Sequence, residues 1–179
     1  MVILILYLLA VLLLLIFLIF MSIYTLSLIY SSLKGSPYVA TRSRRVEEIL
    51  GSADLKKGKL FIELGSGDGR VVRMAAKKYG IKGIGVDVNP LLIFWSKILG
   101  KKNIDFRTEN IFTADLSKAD YVYIFLMPKL IEELAKKMDR ELKKGAVVIS
   151  HGFPVKGWEK QLFRKLDVVP FPTYFYKIK

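Results

Sequence analysis

The stretch Leu60-Phe61-Ile62-Glu63-Leu64-Gly65-Ser66-Gly67-Asp68-Gly69-Arg70 constrains this chain more than any other. Its first five residues read as a buried parallel strand, its three alternate glycines as a tight turn, and Arg70 onward as a helix packed back on the strand. Gly65 and Gly67 let the backbone bend sharply and lie close to a ligand, and the free N–H groups at the helix start face the same spot. Strand, glycine turn and helix together form a docking place for a nucleotide-like cofactor.

Before this unit the chain is of a different kind. From Val2 to Tyr30 it is almost wholly apolar, longer than the roughly 20 residues that span a bilayer core, and is read as one transmembrane helix. A cleaved signal peptide fits less well, because the apolar run is too long, no basic segment precedes it and no small-x-small site follows. A start at Met21 would remove most of the span and release a soluble cytoplasmic protein. No charge precedes Lys34, so the formal +13 of the 179-residue chain falls after the span and leaves that part in the cytoplasm. Such a basic surface attracts nucleic acid, anionic lipid or acidic protein without choosing among them. With no Cys, a disulfide framework and thiolate chemistry are excluded. The expected organisation is an anchor at 1–33, a linker and helix at 34–58, and a catalytic domain at 59–179.

Lys34-Gly35-Ser36-Pro37 interrupts the first helix, and Thr41 or Ser43 is expected to cap a second one through Val46, Ile49 and Leu50. Tyr38 and Thr41 precede the first strand, where they either fold over a cofactor or pack the helix on the sheet. After the glycine unit, strand two is expected over Gly83–Asp87, followed by a helix from Leu91 to Leu99. Asp87, about twenty residues past the glycine turn, is placed to accept both ribose hydroxyls of an adenosine; Asn89-Pro90 also offers it the plainer role of a helix cap. A short third strand at Ile104–Phe106 leads into a loop, Thr108 to Phe112. There a polar group such as Glu109 or Asn110 can meet the adenine amino group and Ile111 or Phe112 cover a ring face. Strand four (Asp120–Phe125) leaves through Leu126-Met127-Pro128, an amphipathic helix runs from Lys129 to Leu142, and strand five (Ala146–Ser150) turns at His151-Gly152-Phe153-Pro154. Two alternating stretches, Gln161–Val169 and Thr173–Ile178, close the chain as an antiparallel hairpin on an otherwise parallel α/β sheet.

A dinucleotide fingerprint needs Gly at the position of Arg70, and no Gly-Lys-Ser/Thr follows the glycines, so neither a dinucleotide fold nor a P-loop fits. The pattern Glu63-x-Gly65-x-Gly67-x-Gly69 instead resembles motif I of the class I, seven-stranded S-adenosylmethionine-dependent methyltransferases. Further stretches resemble the small protein-lysine methyltransferases: Pro37-Tyr38-Val39 with Thr41, Gly85-Val86-Asp87-Val88-Asn89-Pro90, Phe125-Leu126-Met127-Pro128 and Gly152-Phe153-Pro154. That family includes the mitochondrial enzymes that act on the adenine nucleotide translocase and on the ATP synthase c subunit, and broad-specificity archaeal enzymes.

The resemblance implies a Rossmann-like seven-stranded sheet and S-adenosylmethionine as cofactor. It also implies methyl transfer to lysine side chains of protein substrates and no metal; the alternatives are RNA or small-molecule methylation by the same fold, with the +13 charge suiting RNA as nucleic-acid partner, and a non-catalytic membrane-tethered binding module. The residues it assigns to the cofactor are Tyr38, Thr41, Glu63, Gly65, Ser66, Gly67, Asp68, Gly69, Asp87, Val88, Asn89, Glu109, Asn110, Ile111 and Phe125. Where the mitochondrial members carry Glu, this chain has Asp87, and it shows no Arg-rich presequence. Methyl transfer to lysine requires a neutral amine, and Tyr38, Phe125, Met127 and Phe153 are candidates for an apolar channel that favours one. No general base is obligatory; His151, the only histidine, is either a base or structural.

Overall fold

The computed structural model describes residues 1–34, 39–167 and 169–179. The chain divides into two compact units, Met1–Tyr38 and Val39–Lys179. In the first, α1 (Val2–Leu33) is long and apolar enough to cross a membrane by length and composition. Several of its hydroxyls bond back along the helix: Ser22 Oγ donates to Leu18 O at 2.9 Å, Thr25 Oγ1 to Met21 O at 2.8 Å and Ser32 Oγ to Leu28 O at 3.1 Å. Those side chains therefore need no water to satisfy their donors.

The second unit contains α2 (Ser43–Gly51), β1 (Leu60–Leu64), α3 (Arg70–Tyr79), β2 (Lys82–Asp87), α4 (Pro90–Leu99) and β3 (Ile104–Thr108). It continues with β4 (Tyr121–Ile124), α5 (Pro128–Glu141), β5 (Val147–His151), β6 (Leu162–Leu166) and β7 (Thr173–Lys177). The sheet order is β3-β2-β1-β4-β5-β7-β6, with β1 to β5 parallel and β7 antiparallel to both its neighbours. Strand order reverses at β1, which sits between β2 and β4. In open α/β sheets that reversal leaves a crevice at the carboxyl ends of the strands. The closing hairpin forms as expected, with β7 taking the inner place beside β5.

Alternation along β1 divides the core into two layers. Phe61 joins Val46, Ile49 and Leu50 of α2 and Val72 and Ala75 of α3 on one face. Ile62 and Leu64 join Ile131, Leu134 and Met138 of α5 on the other. Helix α2 is thus part of the sheet's packing, held by three residues that expose 1% or less of their surface.

Three local expectations are corrected. Neither Thr41 nor Ser43 caps α2; the N-cap is Arg42, without a side-chain cap bond, because α2 is held by burial of its apolar stripe. Strand β3 continues through Thr108, which pairs with Asp87, so Thr108 is not in a loop. Its polar residues obscured it: Asp105 and Arg107 face outward on an edge strand and pair with each other at 2.6 Å, while Phe106 points in. His151 is the last residue of β5, paired with Thr173, and not part of the turn.

Candidate active site

The glycine turn is built from backbone. Gly65 N and Ser66 N both donate to Val86 O, at 2.8 and 2.9 Å, so the turn is hooked onto the end of β2. Gly65 has φ +75°, and a Cβ there would lie 2.8 Å from Leu126 Cδ2. Gly69, with φ +71°, caps α3, and a Cβ there would lie 2.3 Å from a Phe106 ring carbon. The two glycines are therefore required for different reasons. Gly65 keeps the turn tight against β4's exit, whereas Gly69 lets the helix start pack beneath Phe106 of β3.

Carboxylates hold the turn from below. Asp87 is buried at the tip of β2; its Oδ2 accepts from Gly67 N and its Oδ1 from Asn89 N, both at 2.8 Å. Burial pushes its carboxyl above the usual range, against the opposing pull of those backbone N–H groups. Asn89 takes the helix-cap role: its Oδ1 accepts from Leu91 N and Leu92 N, which frees Asp87 from it. Glu63, buried in β1, accepts from Val72 N at 2.9 Å in the first turn of α3. Burial drives its carboxyl well above the ordinary value, with Asp68 and Asp87 adding to the effect.

Asp68 receives both the Nε and Nη2 groups of Arg70, the latter at 2.8 Å. Burial raises the Asp68 carboxyl, but the Arg70 guanidinium outweighs it and leaves it below the ordinary range. Arg70 also donates from Nη1 to Thr41 O at 3.1 Å, tying the segment before α2 to the glycine turn. Ser96 Oγ of α4 donates to Gly67 O at 3.1 Å. Ser66 Oγ is buried and has no partner among the described residues. Three carboxylates, a turn with glycine at every second position and the unpaired hydroxyl of Ser66 converge on this point, a set that suits a ligand carrying ribose hydroxyls and positive charge. The residues present thus fit an S-adenosylmethionine-type cofactor.

The remaining expected positions fall around this centre. Glu109 N donates to Asp87 O at 3.0 Å, which brings the exit of β3 beside the β2 tip. Asn110 is exposed and closes the next turn by accepting from Phe112 N at 3.0 Å. Ile111 is buried in the α5-side core, while Phe112 packs partly against it. Val88 is half-buried between Asp87 and Asn89. Tyr38 lies outside the described residues.

A cleft of about 550 Å³ opens at the same end of the sheet, lined among others by Thr41, Arg42, Arg44, Arg45, Phe125 and His151, with Val169 to Phe171 closing one side. Phe125 contacts His151 at a ring-centroid distance of 4.6 Å and Phe171 at 5.4 Å. Gly152, at φ +90°, makes room for Phe125, since a Cβ there would lie 2.9 Å from its ring. His151 Nδ1 is 2.8 Å from Thr173 Oγ1, and burial, aided by the charge of Arg45, lowers its pKa to about 4. Of the residues expected to form an apolar channel, Phe125 lines this cleft. Phe153 packs instead against the α5-side core, and Met127 is exposed at the start of α5.

Sequence reading missed the three arginines, Phe171 and Tyr123. Tyr123 of β4 is paired in register with Glu63, and its buried hydroxyl has no partner within hydrogen-bond geometry among the described residues. No motif marks these residues, because they reach the site from segments distant in sequence.

Comparison with known proteins agrees with this geometry. The family model for the ANTKMT methyltransferase domain matches residues 63–162, and that for the histone methylation protein DOT1 matches residues 25–93. A protein-lysine N-methyltransferase of Saccharolobus islandicus is 34% identical over 137 residues, covering 73% of this chain and 85% of that protein. The lysine N-methyltransferase of Rattus norvegicus that acts on the ATP synthase c-subunit is 34% identical over 127 residues, covering 68% of this chain and 58% of its own length, so the chain spans little more than half of that relative. A crystal structure of an RNA methyltransferase from Salinibacter ruber in complex with S-adenosyl-L-homocysteine superposes with a TM-score of 0.74 at 30% identity, covering 78% of this chain and 94% of that one. With its glycine turn, carboxylates and seven-stranded sheet agreeing with these matches, the chain belongs to the ANTKMT methyltransferase domain family of S-adenosylmethionine-dependent methyltransferases.

Proposed function

We propose that this protein methylates lysine side chains of protein substrates with S-adenosylmethionine as donor. The observation that carries the reading is its 34% identity with an archaeal protein-lysine N-methyltransferase across 85% of that protein's length. When bound, the cofactor supplies a methyl group on a sulfonium, so the site has chiefly to align donor and acceptor. Asp87 is assigned to the ribose hydroxyls, using the lone pairs left by its two backbone bonds. The Gly65–Gly67 backbone and Ser66 Oγ are assigned to close contact with the methionine end, with Asp68 supplying negative charge near its amino group, Glu63 holding the glycine loop through Val72 N or reaching the same amino group, and Gly69 supporting the turn through its packing. Val88, Asn89, Glu109, Asn110 and Ile111 are assigned to the adenosine end, and Tyr38, Thr41 and Phe125 to the approach to the methyl group.

The acceptor must arrive as a free amine. A lysine with pKa ~10.4 is deprotonated at pH 7 at a cost of about 4.6 kcal/mol. An aromatic wall of Phe125 and Phe171 removes water from the ammonium, and Arg42 and Arg44 disfavour a further cation, while Arg45 is offset by its pair with Glu48 in the same lining, so both effects lower the amine's pKa. His151, held near 4, is neutral at pH 7 and too weak a base to keep a proton from an ammonium, and is assigned to packing of that wall.

A second reading, methylation of RNA, is favoured by the RNA methyltransferase name of the Salinibacter relative and by the +13 charge. Incubation with labelled donor and cell lysate, followed by protease or ribonuclease, separates the two. Label released by protease and located on lysine by mass spectrometry supports the proposal, whereas label surviving protease but lost to ribonuclease overturns it.

The organisation proposed is a transmembrane anchor at 1–33, a linker and helix at 34–58 and the methyltransferase domain at 59–179, with α2 contributing to that domain's core. By the charge distribution the catalytic part is assigned to the cytoplasm. Recovery of the native protein wholly in the soluble fraction would remove the anchor.

A further inference from the structure

Helix α4 has two unlike faces. Inward, Leu92, Ile93 and Ser96 are buried, and Ser96 holds the glycine turn through Gly67 O. Outward, Phe94 is 56% exposed, Trp95 39%, Ile98 57% and Leu99 58%. At i, i+4 spacing these make two adjacent columns, Phe94 with Ile98 and Trp95 with Leu99. The Phe94 and Trp95 rings meet edge-on at 5.6 Å. Four large apolar side chains so arranged form one patch on the surface of a folded unit, where apolar residues otherwise occur singly.

The rim of the patch is basic. Lys97 lies within α4, and Lys101 and Lys102 follow its end; all three are exposed, and none has a carboxylate partner among the described residues. α4 itself holds no acidic residue, and Asp105 on the adjoining strand is already paired with Arg107.

We infer that this face docks on a bilayer containing anionic phospholipid. Phe94, Trp95, Ile98 and Leu99 enter the acyl boundary and Lys97, Lys101 and Lys102 meet the headgroup phosphates. Aromatic and long aliphatic residues flanked by lysine are the composition that an interfacial helix uses. Charge decides against a second copy of the chain: a two-fold pairing of this face would set the three lysines beside the same three of the partner, with no carboxylate to offset them. Helix α1, long and apolar enough to cross a bilayer and proposed above as the anchor, would hold the unit that follows it in the chain near a lipid surface. Docking through α4 would orient the donor side of the active site relative to that surface, since the same helix bonds the glycine turn. The inference stands apart from the choice between lysine and RNA as acceptor.

The chain's two tryptophans make the test direct, because Trp158 is buried at 3% exposure and Trp95 lies in the patch. The full-length protein is reconstituted in vesicles of phosphatidylglycerol and phosphatidylcholine with brominated acyl chains. The Trp95 contribution is then taken as the difference between wild type and Trp95→Phe. Expected is strong quenching of that contribution in the anionic vesicles, reduced at high salt and in phosphatidylcholine alone. Each of Lys97→Gln, Lys101→Gln and Lys102→Gln should lower the docked-to-free ratio about fivefold. An unquenched Trp95 overturns the inference, as does quenching that is equal in neutral vesicles and insensitive to salt. Disulfide cross-linking of Ile98→Cys between copies without quenching would assign the face to a second chain and likewise overturn it.

Discussion

The two sides of the active site are built differently. On the side proposed to bind the methyl donor, the turn from Gly65 to Gly69, Glu63, Asp87 and Asn89 lie within one strand–helix–strand unit and are joined by hydrogen bonds of 2.7–3.3 Å to backbone groups. On the side proposed for the acceptor, the cleft gathers Thr41, the arginines of the α2 start, Phe125, His151 and Val169 to Phe171, which meet only through tertiary packing, held by the ring contacts of Phe125 and by the bond from Arg70 to Thr41 O. The donor side is thus fixed by local geometry, while the acceptor side is free to differ among proteins that share the same donor. That arrangement suits a family in which relatives at similar identity carry different acceptor names.

The largest expected effect lies on the donor side. Asp87→Ala should lower kcat/KM about 10²- to 10³-fold, the loss of two charge-assisted hydrogen bonds, with a matching loss of donor heat in calorimetry. Asp87→Glu should restore most of it; unchanged donor affinity in Asp87→Ala would break the comparison at its root.

Next come the glycines, which separate stability from binding. Gly69→Ala drives a methyl into Phe106 at a left-handed backbone position and should cost about 2 kcal/mol or more, lowering Tm by roughly 4–8 °C. Gly65→Ala meets the movable end of Leu126 and should lower Tm less while weakening donor binding more. Melting curves beside calorimetric titrations distinguish the two, and equal effects on both readouts would refute the division of labour.

Two buried titratable groups give smaller effects of opposite sign. Glu63 is raised above its unfolded value, so the folded state binds the proton more tightly and stability falls as pH rises from about 4.5 towards the folded pKa. Glu63→Gln keeps an acceptor for Val72 N and should lose less stability than wild type over that rise, measured by denaturant unfolding at several pH values. His151 is lowered to about 4, so stability is lost as pH falls from 6.5 towards 4. His151→Asn should flatten that limb and leave the rate at pH 8 within about threefold; a larger loss together with a vanished kinetic inflection on the acid limb would make His151 a base.

The smallest effect belongs to the acceptor rim. Arg42→Gln with Arg44→Gln should move the rising limb of the rate–pH profile upward by less than about one unit, because exposed charges are screened. A profile that does not move would leave desolvation by the aromatic wall as the sole source of amine activation.

Along the chain, the strands, the glycine turn and the closing hairpin are legible because each is a local pattern: an apolar run, positive-φ residues, alternation. β3 reads short where its outward Asp105 and Arg107 look like loop residues. Thr41 and Ser43 read as caps because their residue types suit that role, although α2 is in fact held by Val46, Ile49 and Leu50. Phe153 reads as a channel residue from its place at a strand tip, and in the fold it packs, half-buried, against the α5-side core.

The sequence alone therefore determined the geometry of the glycine turn and of the carboxylates that hold it, since the glycines, Glu63 and Asp87 act through local spacing and through backbone geometry that side-chain type dictates. Only the tertiary structure decided which residues line the acceptor cleft, that Gly69 answers to Phe106, and that α4 turns four apolar side chains outward. The first two depend on segments distant in sequence being brought together by sheet order, and the third on how α4 seats against β2 and β3, properties that no local pattern encodes.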